Sequence, residues 1–99
     1  MKLFPISRYK VIGHSMLPNL KEGQEVLSFN WAYLFSKPKV GDVVVVKVNG
    51  KEMVKRITKF LDREKMIFVM GDNKKDSLDS RKLGWIDKKN LIGKVISYQ

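Results

Sequence analysis

The chain has no cysteine, a single histidine (His14) and a single alanine (Ala32) in 99 residues. Without cysteine there are no disulfides, no thiol nucleophile and no thiolate metal site. One histidine rules out a multi-histidine zinc site as well. No apolar run approaches the roughly 18 residues that a membrane-spanning helix requires. The first residues, Met1 to Ile12, are interrupted by Pro5, Arg8 and Lys10, so they hold no secretory core of roughly 7–15 apolar residues. Acid is scarce: ten Asp and Glu stand against twenty Lys and Arg, for a net charge of +10. Such a charge favours anionic surroundings. The cations are spread from Lys2 to Lys94 instead of blocked, which reads as a solvated face more readily than as a dedicated binding stripe. The chemistry left to this chain is that of Ser, Lys, Asp, Glu and Tyr.

Ninety-nine residues, 43% of them hydrophobic, suit one domain over residues 1–99. Short β-branched and apolar runs predict strands at Tyr9–Ile12, Glu25–Phe29, Asp42–Val48, Glu52–Phe60, Met66–Met70 and Leu91–Tyr98. Turn signals separate them at Glu22-Gly23, Lys37-Pro38, Val40-Gly41, Asn49-Gly50, Gly71-Asp72-Asn73 and Leu83-Gly84. The fold is expected to be mostly β. Trp31 to Ser36 reads as a helix-like turn or an apolar loop, and Trp85 as packing.

Asn49-Gly50 is the sharpest local signal. Both central residues of a type I′ turn need positive φ, which Asn-Gly adopts at little cost, so a hairpin is expected there. If Val48 pairs with Lys51, then Lys47 faces Glu52, Val46 faces Met53, Val45 faces Val54 and Val44 faces Lys55. The opposite charges of Lys47 and Glu52 support that register. Alternation then puts Lys55 on one face with Met53, Ile57, Val44 and Val46, and Arg56 on the other with Val54.

A lysine on an aliphatic surface has two readings. Its stem can cover apolar surface while the ammonium reaches water, or the amine itself can be desolvated and neutral. An ordinary lysine, with a pKa of about 10.4, is almost never neutral at pH 7, whereas burial lowers that value by up to roughly 3–5 units. A neutral amine can take a proton from a serine hydroxyl. Gly13-His14-Ser15-Met16-Leu17-Pro18 offers such a serine, although a bare Gly-x-Ser is more often just a turn. Adjacent residues of an extended chain point apart, so His14 is not expected to serve Ser15 as base.

Taken together, Gly13-His14-Ser15-Met16-Leu17-Pro18, Met53-Val54-Lys55-Arg56-Ile57 and Gly71-Asp72-Asn73-Lys74-Lys75-Asp76-Ser77-Leu78-Asp79-Ser80-Arg81 resemble, in order, three boxes of the type I signal peptidases. Lys39-Val40-Gly41-Asp42-Val43-Val44 and Leu91-Ile92-Gly93-Lys94-Val95 extend the likeness. The resemblance implies a small coiled antiparallel β-sheet or barrel carrying a serine endopeptidase with a Ser/Lys dyad. In it Ser15 would be nucleophile and Lys55 general base. Ser77 matches the serine that orients the lysine, Asp79 and Arg81 a supporting ion pair, and Asp72 with Asn73 a loop framework. The Ser15 N–H would supply the first oxyanion donor. Gly13 stands where some members carry a serine hydroxyl as the second, a donor worth about 2.7–4 kcal/mol.

The expected partner is a precursor polypeptide bound in extended form and cut after small residues, with no cofactor and no metal. The chain is also similar to short anchorless forms of the nickel superoxide dismutase maturation protease kind. A start at Met1 favours a naturally short, cytoplasmic form. A form trimmed of an anchor would sit at the outer face of the cytoplasmic membrane. Basic charge and the stretch Phe29, Trp31, Tyr33, Leu34, Phe35 also suit peripheral contact with an anionic membrane, although core is the default reading of those residues, with cleft wall beside it. Two alternatives differ in kind. A repressor-type Ser/Lys domain cuts itself at Ala-Gly or Cys-Gly, but Ala32 precedes Tyr33 and cysteine is absent. A small basic β-barrel suits nucleic acid, which is not the expected partner.

Overall fold

In the computed structural model, which describes residues 3–73, 75 and 79–98, Asn49 and Gly50 take φ values of +53° and +78°. They join β3 (Val43–Val48) to β4 (Lys51–Leu61). The two strands pair antiparallel as Val48↔Lys51, Lys47↔Glu52, Val46↔Met53, Val45↔Val54 and Val44↔Lys55, the register that the turn chemistry predicts. Around this hairpin lie β1 (Ile6–Lys10), β2 (Glu25–Phe29), β5 (Met66–Met70), β6 (Ile86–Asp87) and β7 (Leu91–Tyr98). Two single-turn helices complete the elements, α1 (Ala32–Phe35) and α2 (Ser80–Leu83), with a 3-10 turn over Lys88–Asn90.

All pairings are antiparallel, and the strands form one open sheet in the order β1-β2-β7-β3-β4-β5-β6. The register shifts between Leu27 and Ser28, between Val45 and Val46 and between Ile57 and Lys59. Such irregularities bend a strand and strengthen its twist, so the sheet coils and buries apolar side chains on both faces. Val44, Val46, Ile57, Ile67, Val69 and Ile86 form one core. Val11, Met16, Leu20 and Val26 form the other, with Tyr9, Val43 and Val54 packed against it. Burial on both sides explains why four valines run consecutively in β3 where a strand with one wet face would alternate.

Three strands coincide with their sequence-predicted bounds: β2, β5 and β7. β1 does not. It runs from Ile6 to Lys10 instead of Tyr9 to Ile12, because as an edge strand it takes its register from β2, through pairs from Ile6↔Phe29 to Lys10↔Glu25. Val11 still exchanges hydrogen bonds, donating to Gln24 O and accepting from Gly23 N, both at 2.8 Å, while Ile12 is exposed. α2 and β6 were not expected; elements of two to four residues leave no periodic signal. The helix-like turn near Trp31 is α1, whose Leu34 and Phe35 are exposed, so those two are not core. Trp85 packs edge-on against Phe68 with ring centroids 5.2 Å apart. No helix among the described residues is long and apolar enough to cross a membrane.

Candidate active site

The segment after β1 turns sharply. Gly13 has φ of +82°, a conformation costly for any residue with a Cβ, and its N–H donates to Glu22 Oε2 at 3.0 Å. The turn is held from within by Leu17 N to His14 O at 3.2 Å and Leu20 N to Met16 O at 2.9 Å. Met16 and Leu20 are almost wholly buried in the second core, so they anchor the turn and leave Ser15 half-buried beside them. His14 lies outward, its Nε2 3.7 Å from Glu22 Oε1 with both side chains more than half exposed. That placement agrees with a surface role for His14.

Lys55 occupies the middle of β4 and is only 3% exposed, between neighbours Val44, Val46 and Ile57 that are fully buried. A buried amine is unusual enough to demand a reason, because desolvation disfavours its charged form. Ser15 and Lys55, together with Gly13, line one cavity of about 350 Å³. Its walls are the segment from Tyr9 to Ser15 and the start of β4, with Val45 behind them.

The loop after β5 holds this turn against β4. Asn73 N donates to Ser15 O at 2.8 Å, and Asn73 Nδ2 donates to His14 O at 3.0 Å. Asp72 accepts from Arg56 Nε and Nη2, each at 2.9 Å, and from Asn19 Nδ2 at 2.7 Å. The fork from Arg56, and then Asn19, hold the Asp72 carboxyl below its usual range, against a burial penalty that works the other way. The same pairing raises Arg56 above its already high value. Arg56 is adjacent to Lys55 in β4 and points to the opposite face, and its Nη1 also donates to Gly41 O at 2.8 Å.

Asp79, wholly buried, caps α2. Its Oδ2 accepts from Gly71 N at 2.8 Å and Arg81 Nη2 at 2.9 Å, and its Oδ1 accepts from Arg81 N and Arg81 Nε, each at 3.0 Å. The hydrogen bond to Asp79 raises Arg81. The carboxylate thus ties α2 to the end of β5, and Ser80 adds to this by accepting from Val69 N at 2.9 Å. Of the residues expected at the site, Ser15, Lys55 and Gly13 share the cavity, Asn73 and Asp72 brace it, and Asp79 with Arg81 form the expected ion pair. Ser77 lies outside the described residues.

A family model described as "Signal peptidase, peptidase S26" matches residues 1–59 and 63–98. The chain belongs to the signal peptidase family. Among curated proteins it is 62% identical over 29 residues to the Signal peptidase I of Buchnera aphidicola subsp. Baizongia pistaciae, covering 29% of this chain and 9% of that protein. To the Signal peptidase I of Buchnera aphidicola subsp. Acyrthosiphon pisum it is 59% identical over 29 residues, with the same coverage. A 127-residue alignment at 26% identity relates it to the "Probable thylakoidal processing peptidase 2, chloroplastic" of Arabidopsis thaliana, covering 83% of this chain and 35% of that protein. The chain therefore spans between 9% and 35% of the length of these signal peptidase relatives.

Several residues of the site were not singled out by sequence reasoning. The sequence assigns Arg56 only a face, yet it grips Asp72. Asn19 and Glu22 lie four and seven positions beyond Ser15 and brace the turn. Nothing in the sequence singled out Glu22.

Proposed function

We propose that this chain is a Ser/Lys serine endopeptidase that removes an N-terminal leader or signal segment from a precursor protein after small residues. The observation that carries the reading is a lysine 3% exposed on an aliphatic surface, lining the same cavity as Ser15. Ser15 Oγ attacks the scissile carbonyl while neutral Lys55 Nζ takes its proton. The tetrahedral oxyanion is met by the Ser15 N–H, and it collapses as protonated Lys55 gives its proton to the leaving amine. Water, deprotonated by the same amine, then attacks the acyl-serine and releases the leader with a carboxylate end. Asp79 and Arg81 hold the returning chain, and Asp72 and Asn73 hold the nucleophile turn.

A substrate in extended form suits the cavity between the segment after β1 and the start of β4, since backbone pairing along a strand supplies affinity that is tolerant of sequence. Incubation of the protein with a panel of Ala-x-Ala precursor peptides and a superoxide dismutase precursor, with products read by mass spectrometry, tests the reading. Cleavage that is lost by at least about a thousandfold in both Ser15→Ala and Lys55→Ala is expected, as for other nucleophile and base deletions. Cleavage that survives Lys55→Ala would remove the dyad.

A further inference from the structure

A second cavity, of about 430 Å³, lies between α1, the turn after β4 and the start of β7. It shares no lining residue with the cavity of Ser15 and Lys55. Its apolar surface comes from Tyr33, Leu34, Leu91 and Ile92. The Tyr33 hydroxyl is engaged elsewhere, donating to Asp42 Oδ2 at 2.7 Å. Asn30, also in the lining, donates its amide hydrogens to Phe4 O at 3.1 Å and Ser7 Oγ at 2.7 Å, and its Oδ1 accepts from Ser28 Oγ at 2.9 Å. Both residues therefore act mainly as wall.

The same cavity is lined by three cations, Lys65, Lys88 and Lys89, against one carboxylate, Asp87. Backbone bonds bring the lysines together. Lys88 N donates to Lys65 O at 2.8 Å, and Lys89 N donates to Asp87 Oδ1 at 2.9 Å, which caps the 3-10 turn. Lys65 Nζ lies 3.5 Å from Asp62 Oδ1, a carboxylate that also pairs with Lys37 Nζ at 2.7 Å. Among the described residues, no ion pair holds the ammonium of Lys88 or Lys89. Lys65 also has φ of +56°, which residues with a Cβ seldom adopt and which glycine takes without strain. A strained residue kept at a cavity wall points to a use for its side chain.

We propose that this cavity binds a small anionic amphiphile, with a carboxylate or phosphate head held by Lys65, Lys88 and Lys89 and a short hydrocarbon body laid on Tyr33, Leu34, Leu91 and Ile92. Small-molecule sites are mostly apolar, with a few charged groups that fix orientation, and this cavity is within their usual range of size. A lysine ammonium is a compact point charge, so it suits a carboxylate and a phosphate alike. A neutral ligand of the same shape gains nothing from the three cations, and a cationic one is repelled. The ligand is a dissolved monomer, because the hydrocarbon must leave water for the cavity itself. Occupancy needs no hydrolysis at Ser15.

The test is a proton–nitrogen-15 NMR titration of the full chain with decanoate and decyl phosphate, beside acetate, decanol and decylamine, and with phosphatidylglycerol vesicles as a separate arm. Saturable shifts are expected at the amides of Tyr33, Leu34, Lys65 and residues 87–92. Decanoate and decyl phosphate should bind at least about tenfold more tightly than acetate, decanol or decylamine. Lys88→Gln combined with Lys89→Gln keeps the backbone groups of the 3-10 turn and should weaken decanoate by about tenfold, removing its advantage over decanol. Leu34→Ser, at an exposed position, should weaken decanoate and decanol together. No saturable binding, equal binding of decanoate and decylamine, or shifts gathered at Gly13 and Ser15 would overturn the site. So would affinity unchanged in both variants, or binding to vesicles without binding to decanoate.

Discussion

At the scale of single residues, the site is arranged by hydrogen bonds to two carboxylates. Asp79 is wholly buried and satisfied by Gly71 and Arg81, which lets a charge persist without water. Asp72 is held by Arg56 and Asn19. Because its carboxyl is depressed in the folded protein, the stability it contributes is present above the unfolded value of about 3.9 and is lost as pH falls through the folded value. Asp72→Asn is expected to cost about 1 kcal/mol at neutral pH, a modest figure because Arg56 is a third exposed. That difference should begin to shrink as pH falls below about 4 and vanish only once pH is below the depressed folded value, as followed by urea unfolding across the pH range. A cost that persists undiminished below that range would mean the ion pair is not its source.

At the scale of elements, legibility followed the length of the chemical signal. The β3–β4 hairpin was readable to the residue because Asn49-Gly50 fixes the turn, the turn fixes the register, and the register alone places Lys55 among Val44, Val46 and Ile57. β1 was misread because Ile6-Ser7-Arg8 carries no apolar alternation, and its strand form comes from pairing with β2. β6 and α2 are too short to show a period, although Asp79 as N-cap and Gly84 at φ +80° just past Leu83 were legible helix-end cues. The bulges were invisible in the sequence, and so was the close approach at Gly93. A Cβ there would overlap Ser28 Oγ and come within 2.6 Å of Asn30 Oδ1, where β7 passes over a buried network that also ties Asn30 to Ser7 at 2.7 Å. Gly93→Ala is therefore expected to destabilise by about 1–3 kcal/mol. The measurement is the urea midpoint, and Gly23→Ala makes the comparison, since a Cβ at that position meets nothing within 4 Å and the cost there is backbone strain alone.

At the scale of the whole molecule, the curl of one open sheet assembles the candidate site. It carries the segment after β1 across to the start of β4, so that a serine at position 15 and a lysine at position 55 line one cavity, and it buries β3 on both faces beneath them. The residues that accomplish this are scattered through the chain as ordinary valines and bulges, which is why the boxes were legible in the sequence and the cavity between the segment after β1 and the start of β4 was not. If the curl exists to strip water from the Lys55 amine, that amine must titrate abnormally in the folded protein. Nitrogen-15 NMR titration of the lysine Nζ groups, with Lys55 assigned by its loss in Lys55→Met, measures this directly. The account predicts that the Lys55 amine is neutral well below the ordinary lysine value of about 10.4. Titration at or above that value would contradict it.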